Sequence, residues 1–207
     1  MKTDINKVFN KYFEIYTRIF EEFYPAEGSN GFTEQNQSVN LSKAFESIYP
    51  DSFSWFELPM KREHIDVIIV NPSKKEIFII EAKRFSLLKK KIKSIAFDII
   101  RTSKAKDFEI FNKDSNGKRF KDYTFYGLVL ADIWTETANK IKVFENWGKG
   151  FFSKTKEISV LEDFEYEDIE KILDKAEWSY KDFINAPNIS GCIKENYKLL
   201  MLLWKIQ

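Results

Sequence analysis

Asp66, Glu81 and Lys83 are ionisable residues set in stretches that otherwise read as buried strand. The runs His64 to Val70 and Ile77 to Lys83 are short and rich in Ile, Val and Phe, and Asn71-Pro72-Ser73-Lys74-Lys75-Glu76 joins them. That pattern predicts a β-hairpin around a Pro-containing turn. Strand side chains alternate faces, so Glu81 and Lys83 point the same way, and pairing across the hairpin brings Asp66 beside them. Two carboxylates and one ammonium then converge at the end of a sheet. Isolated charges in such a place cost several kcal/mol or more, and adjacent acids repel, so a hard divalent cation is the natural compensation. The motif therefore predicts a metal site. The competing reading is a buried ion-pair network without catalytic role; a packed apolar cluster is often as stable, so that reading gives no reason for this spacing.

The arrangement resembles the PD-(D/E)XK nuclease superfamily, whose core carries an Asp on one strand and an acid, any residue and a Lys on the next. Here Asp66 and the run Glu81-Ala82-Lys83 stand in those places, and Ile65 replaces the Pro of the family's name. The likeness extends over roughly the first two thirds of the chain. It implies a restriction-endonuclease-like α/β core, a mixed β-sheet flanked by helices on both faces, with extra N- and C-terminal elements. It implies hydrolysis of phosphodiester bonds, in DNA. Asp66 and Glu81, with the Ala82 carbonyl, would hold Mg2+, for which Mn2+ substitutes; Lys83 would orient a water or stabilise charge on phosphorus. Such proteins usually add an acid from the helix before the sheet. Thr33 is a suitable N-cap for a helix from Glu34 to Ile48 with an apolar stripe at Leu41, Ala44, Phe45 and Ile48. Stepping back along the stripe reaches Ser38, Gln37 and Glu34, which puts Glu34 on the buried face as a third metal ligand or a water-orienting acid completing the shell; the plainer alternative is a capping acid.

The elements that must hold these residues are legible in outline. Asp4 to Phe23 carries a wide helical stripe closed by Pro25, and Phe53 to Met60 reads as a strand in which Glu57 faces either the site or water, with water the preferred reading. After the hairpin, a helix is expected from about Ser86 to Lys104, a loop over Asp107 to Asp122, and a core strand from Tyr123 to Leu130. Farther on, Thr135 is read as capping a helix toward Trp147, Ile158 to Leu161 as a short strand, and Tyr166 to Phe183 as an acidic helix; Tyr197 to Ile206 is apolar throughout, which fits a buried strand or a helix, with strand the preferred reading. The chain is expected to form a single domain over 1–207, with a helical extension at 1–30, the core at 33–132 and a C-terminal elaboration at 133–207.

Net charge is +1, but its distribution is uneven: Lys83 to Lys121 has 13 basic and 4 acidic residues, whereas Glu157 to Glu177 has 9 acids and 2 Lys. A basic segment next to the candidate site points to a phosphate backbone, with Lys90, Lys93, Arg101 and Lys104 as the expected nucleic-acid contacts; a solvated helix face is the competing reading. His64, the single histidine, shares a face with Asp66 by alternation. Cys192 is the single cysteine, so it forms no internal disulfide and lacks the companions of a thiolate zinc site. No Ser sits in a nucleophile-elbow pattern. No apolar stretch is long enough to span a bilayer and the N-terminus has no signal core, so a cytoplasmic location without membrane contact is expected. Two other classes stay open: a non-catalytic nucleic-acid-binding module on the same fold, and a subunit whose aromatic residues, Trp134, Trp147, Trp178 and Trp204 among them, form an interface with a second copy or a larger assembly.

Overall fold

The computed structural model describes residues 3–22, 33–60, 63–84, 88–105, 109–112, 120–134, 177–183 and 197–206. The expectations for 135–176 and for Cys192 lie outside them. The first helix, α1 (Ile5–Glu22), buries Val8, Phe9, Tyr12, Tyr16 and Phe20, one stripe at helical spacing. The second, α2 (Glu34–Ile48), starts at Thr33, whose backbone is extended and whose side-chain oxygen accepts the Asn36 N–H at 3.2 Å. Strands β1 (Phe53–Met60), β2 (Glu63–Asn71) and β3 (Glu76–Arg84) follow, then helix α3 (Leu88–Ser103), the single turn α4 (Glu109–Asn112), and strands β4 (Thr124–Trp134), β5 (Glu177–Phe183) and β6 (Tyr197–Lys205).

These strands form one six-stranded mixed sheet in the order β1-β2-β3-β4-β6-β5. Neighbours are antiparallel except β3 and β4, which run parallel. A parallel pair needs a crossover, and α3 supplies it. The turn between β2 and β3 is the expected one: Pro72 opens a short 3-10 segment and Lys75 closes it in the left-handed region at φ 52°.

Helices cover both faces of the sheet. Alternation along β3 sends Phe78, Ile80 and Ala82 toward α1 and α2, and Ile77 and Ile79 toward Ile95, Ala96, Ile99 and Ile100 of α3. With both faces covered, β3 is apolar almost throughout, so its charged end stands out. Among the described residues no helix is long and apolar enough to cross a membrane.

Two expectations need correction. Glu177 to Phe183, read as the end of an acidic helix, is strand β5, paired antiparallel with β6 in a register that sets Trp178 against Leu202 and Tyr180 against Leu200. Pairing with an apolar neighbour overrides a weak helical pattern there. Within the expected loop at 107–122, Glu109 to Asn112 form a helical turn because Phe111 packs edge-on against Phe125 at 5.2 Å between ring centroids. The C-terminal segment takes the preferred strand form, and it lies inside the sheet because β6 pairs with β4 on one side and β5 on the other. Trp204 on β6 is buried, donates to Ser103 Oγ at 2.9 Å, and lies over Gly127, where any Cβ would collide with its ring. Trp204 therefore belongs to the core and not to an interface.

Candidate functional site

The site begins where β2 and β3 part. Their paired register runs from Asn71 with Glu76 to Val67 with Ile80, whereas β3 stays paired with β4 as far as Arg84 with Asp132. Residues Glu81 to Arg84 thus keep a strand neighbour on one side only. Buried backbone donors at such an edge need other acceptors, and side-chain carboxylates supply them. Asp66 Oδ2 accepts the Ala82 N–H at 2.6 Å, and Glu34 Oε1 accepts the Arg84 N–H at 2.8 Å. Gln37 Nε2 donates to the Lys83 carbonyl at 3.2 Å, so α2 grips both ends of the peptide group between Lys83 and Arg84.

Beneath α3, Glu81 and Lys83 meet two residues of that helix, Asp98 and Arg101, in a compact quartet. Lys83 Nζ lies 3.1 Å from Asp98 Oδ2 and 3.6 Å from Glu81 Oε2. Arg101 Nη2 lies 2.6 Å from Glu81 Oε1 and 3.1 Å from Asp98 Oδ1. The side chain of Glu81 is 1% exposed and that of Asp98 7%, against 13% for Lys83 and 17% for Arg101. Two acids and two bases therefore alternate in a nearly closed space.

Burial, with Asp98 and Asp66 adding repulsion, pushes Glu81 up to about 8 against the pull of Arg101 and Lys83. Burial also raises Asp98, although Lys83 and Arg101 oppose it. For Lys83 burial pulls the other way, yet Asp98, Glu81 and Asp66 together hold it above the ordinary lysine value. Lys83 thus stays charged, and Glu81 can exchange a proton near neutrality.

A stability profile follows from Glu81. Its folded value lies above its ordinary 4.5, so the folded chain holds a proton between pH 4.5 and about 8 that the unfolded chain has released. The stabilisation is complete below pH 4.5 and is lost as pH rises through 8, at roughly 1.4 kcal/mol per pKa unit, or on the order of a few kcal/mol in all. Urea unfolding at pH 5, 6.5 and 8.5 should show stability declining with pH, and Glu81→Gln should flatten the decline. Parallel profiles for the two proteins would remove Glu81 as its cause.

On the outer side of Asp66 stands a second group. Glu57 Oε2 and His64 Nε2 are 2.9 Å apart, and with an Asp66 oxygen their ligand atoms all lie within 4.8 Å of one another. Glu57 is exposed, as expected, yet it faces this group as well as water. It adopts φ 52°, which costs a residue other than glycine of order 1–3 kcal/mol. The paired residues Phe56 with Val67 and Leu58 with Ile65 flank it on β1 and β2.

The expected site residues are therefore only partly brought together. Asp66, Glu81 and Lys83 gather at one end of the sheet, while Glu34 holds the backbone of Arg84. Among the described residues, the threesome of acids and imidazole that closes to within 4.8 Å is Glu57, His64 and Asp66, not Asp66, Glu81 and Glu34. Arg101, expected on a nucleic-acid contact face, is turned inward onto Glu81 and Asp98 because two buried carboxylates attract the long guanidinium. Lys104 is exposed just beyond α3, and Lys90 and Lys93 fall near its start, their side chains outside the described residues. Asp98 was missed by the sequence reading; the signal was its place as the single acid between Lys83 and Lys106, on the helix that must cross over β3.

The chain matches no family model, no curated protein and no solved structure.

Proposed function

We propose that this chain is a nuclease of the PD-(D/E)XK kind, hydrolysing phosphodiester bonds of DNA with a divalent cation, Mg2+ or Mn2+, as cofactor. The observation that carries the reading is the end of β3, where Glu81 and Lys83 leave the hydrogen-bonded hairpin beside Asp66 in an otherwise apolar sheet. The order α2, β1, β2, β3, α3, β4 agrees with the restriction-endonuclease-like core that the resemblance implies. The basic run ahead of and within α3 suits a phosphate backbone.

The chain's own groups have definite capacities. Lys83, kept charged by Asp98, is suited to stabilise negative charge gathering on phosphorus. Glu81 is suited to take or return a proton near neutral pH. Asp66 places a carboxylate beside the pair, held by the Ala82 N–H. The cation is a separate matter: Glu81 is engaged by Arg101 and Glu34 by the Arg84 N–H, so Asp66, Glu81 and Glu34 do not fit an ion among them as they stand.

Lys83→Ala tests the reading. Cleavage of plasmid and of single-stranded oligonucleotide should slow about a hundredfold or more in single turnover, while affinity for DNA changes little, because the proposed contact forms chiefly in the transition state. A loss of binding at an unchanged rate would move Lys83 to substrate positioning. One observation favours a second reading: the quartet sets two acids against two bases in close ion pairs, as a structural network would. On that reading the chain is a non-catalytic nucleic-acid-binding module or an assembly subunit, and wild-type protein binds without turnover in every metal tried.

A further inference from the structure

We propose that the chain binds a first-row transition ion, in preference to Mg2+, on Glu57, His64 and Asp66. The inference deepens the nuclease reading and rests on it only for what the ion would be used for. Three facts carry it. The first is ligand type. An imidazole nitrogen with two carboxylate oxygens suits Mn2+ or Zn2+, whereas Mg2+ favours oxygen throughout and keeps much of its water.

The second is spacing. With metal–ligand bonds near about 2.1 Å, adjacent ligands on an octahedral ion lie about 3 Å apart and opposite ones about 4 Å apart. The 2.9 Å between Glu57 Oε2 and His64 Nε2 matches adjacent positions, and all three ligand atoms fall within 4.8 Å. A small adjustment of exposed side chains seats an ion.

The third is orientation. Asp66 engages one oxygen with the Ala82 N–H at 2.6 Å, which fixes the plane of its carboxylate as outer-shell hydrogen bonds do in metal centres. On its inner side the neighbouring acid, Glu81, already has Arg101 at 2.6 Å and Lys83 at 3.6 Å. A cation next to Asp66 therefore meets two positive charges inward and a carboxylate with an imidazole outward. Coulomb's law favours the outward place. The site opens to solvent there, since Glu57 and His64 are both more than half exposed.

The experiment uses the full 207-residue chain with Mn2+, Zn2+ and Mg2+ in separate calorimetric titrations, and pulsed electron paramagnetic resonance of the Mn2+ form. One Mn2+ or Zn2+ per chain should bind, more tightly than Mg2+, and Mn2+ should show coupling to an imidazole nitrogen. His64→Ala should abolish the coupling, and His64→Ala and Glu57→Gln should each weaken binding tenfold or more; both replace exposed side chains, so the fold should persist. Glu81→Gln should leave the ion in place. Loss of the ion in Glu81→Gln with retention in His64→Ala overturns the proposal and leaves the nuclease reading standing. Absence of binding to the wild type at millimolar Mn2+ and Zn2+ overturns it as well. A bound ion with imidazole coupling but no cleavage of any nucleic acid upholds the proposal and defeats the nuclease reading instead.

Discussion

Asp66→Asn is expected to lower the rate of nucleic-acid cleavage by roughly a thousandfold or more and to leave the fold intact. The amide keeps an oxygen to accept the Ala82 N–H, so the edge of β3 stays satisfied where the strands part. What disappears is one negative charge. That charge acts on Lys83, Glu81 and Asp98 from one side and is the acid shared by the inner quartet and the outer Glu57–His64 pair. Removing it also relieves repulsion between crowded acids, so stability should hold or rise slightly. On the proposed reading the carboxylate acts through the cation it would help to hold, and losing such stabilisation of transition-state charge costs on the order of a thousandfold. Single-turnover cleavage beside a thermal melt measures both halves. A rate within tenfold of wild type, with the melt unchanged, would place the chemistry elsewhere.

How much of this was legible in the sequence depends on the range of the interactions involved. The hairpin was readable because its signals are local: apolar runs of strand length, a Pro-containing turn, and charges that break the runs at Asp66 and Glu81. The capped start of α2 was readable for the same reason, since Thr33 and Asn36 are three residues apart. The uniform apolarity of Tyr197 to Lys205 marked the segment as buried but left strand and helix open, and its place beside β4 could not be read at all, because nothing local records which strand will pair with it.

The inner lining of the site was less legible. Asp98 and Arg101 look like members of a basic helix until α3 is laid across β3, and only then does the pull of a buried Glu81 decide where the guanidinium goes. Glu34 was read to the correct side of α2 but not to the correct partner; its carboxylate satisfies the Arg84 backbone, a need that arises only because β2 has left β3. For Glu57 the site and water both stood open, with water preferred. Its left-handed backbone departs from a regular strand, and it stands beside His64. Side-chain choices made among long-range partners are the part that sequence periodicity does not contain.

Arg101→Met should be the most destabilising of the polar substitutions considered, and its effect should depend on pH. The guanidinium contacts both buried acids, at 2.6 Å and 3.1 Å, so its loss leaves Glu81 and Asp98 with Lys83 alone. Breaking one side of a buried charge network costs about 3–5 kcal/mol when the remaining charge cannot escape. Glu81 can escape by taking a proton: with Arg101 gone, one of the influences lowering its pKa is gone. At pH 6 the acid is neutral in the folded chain and the penalty should be modest, whereas at pH 9 it must ionise or shift, and the full cost should appear as roughly 10 °C of melting temperature. Adding Glu81→Gln to the variant should recover much of the loss at pH 9, the coupling that a double-mutant cycle isolates. An arginine serving only to touch phosphate from an exposed helix face would cost about 0.5 kcal/mol or less at either pH. Equal melting temperatures for wild type and Arg101→Met at pH 9 would therefore return Arg101 to the nucleic-acid face and dissolve the quartet as the organising feature of the site.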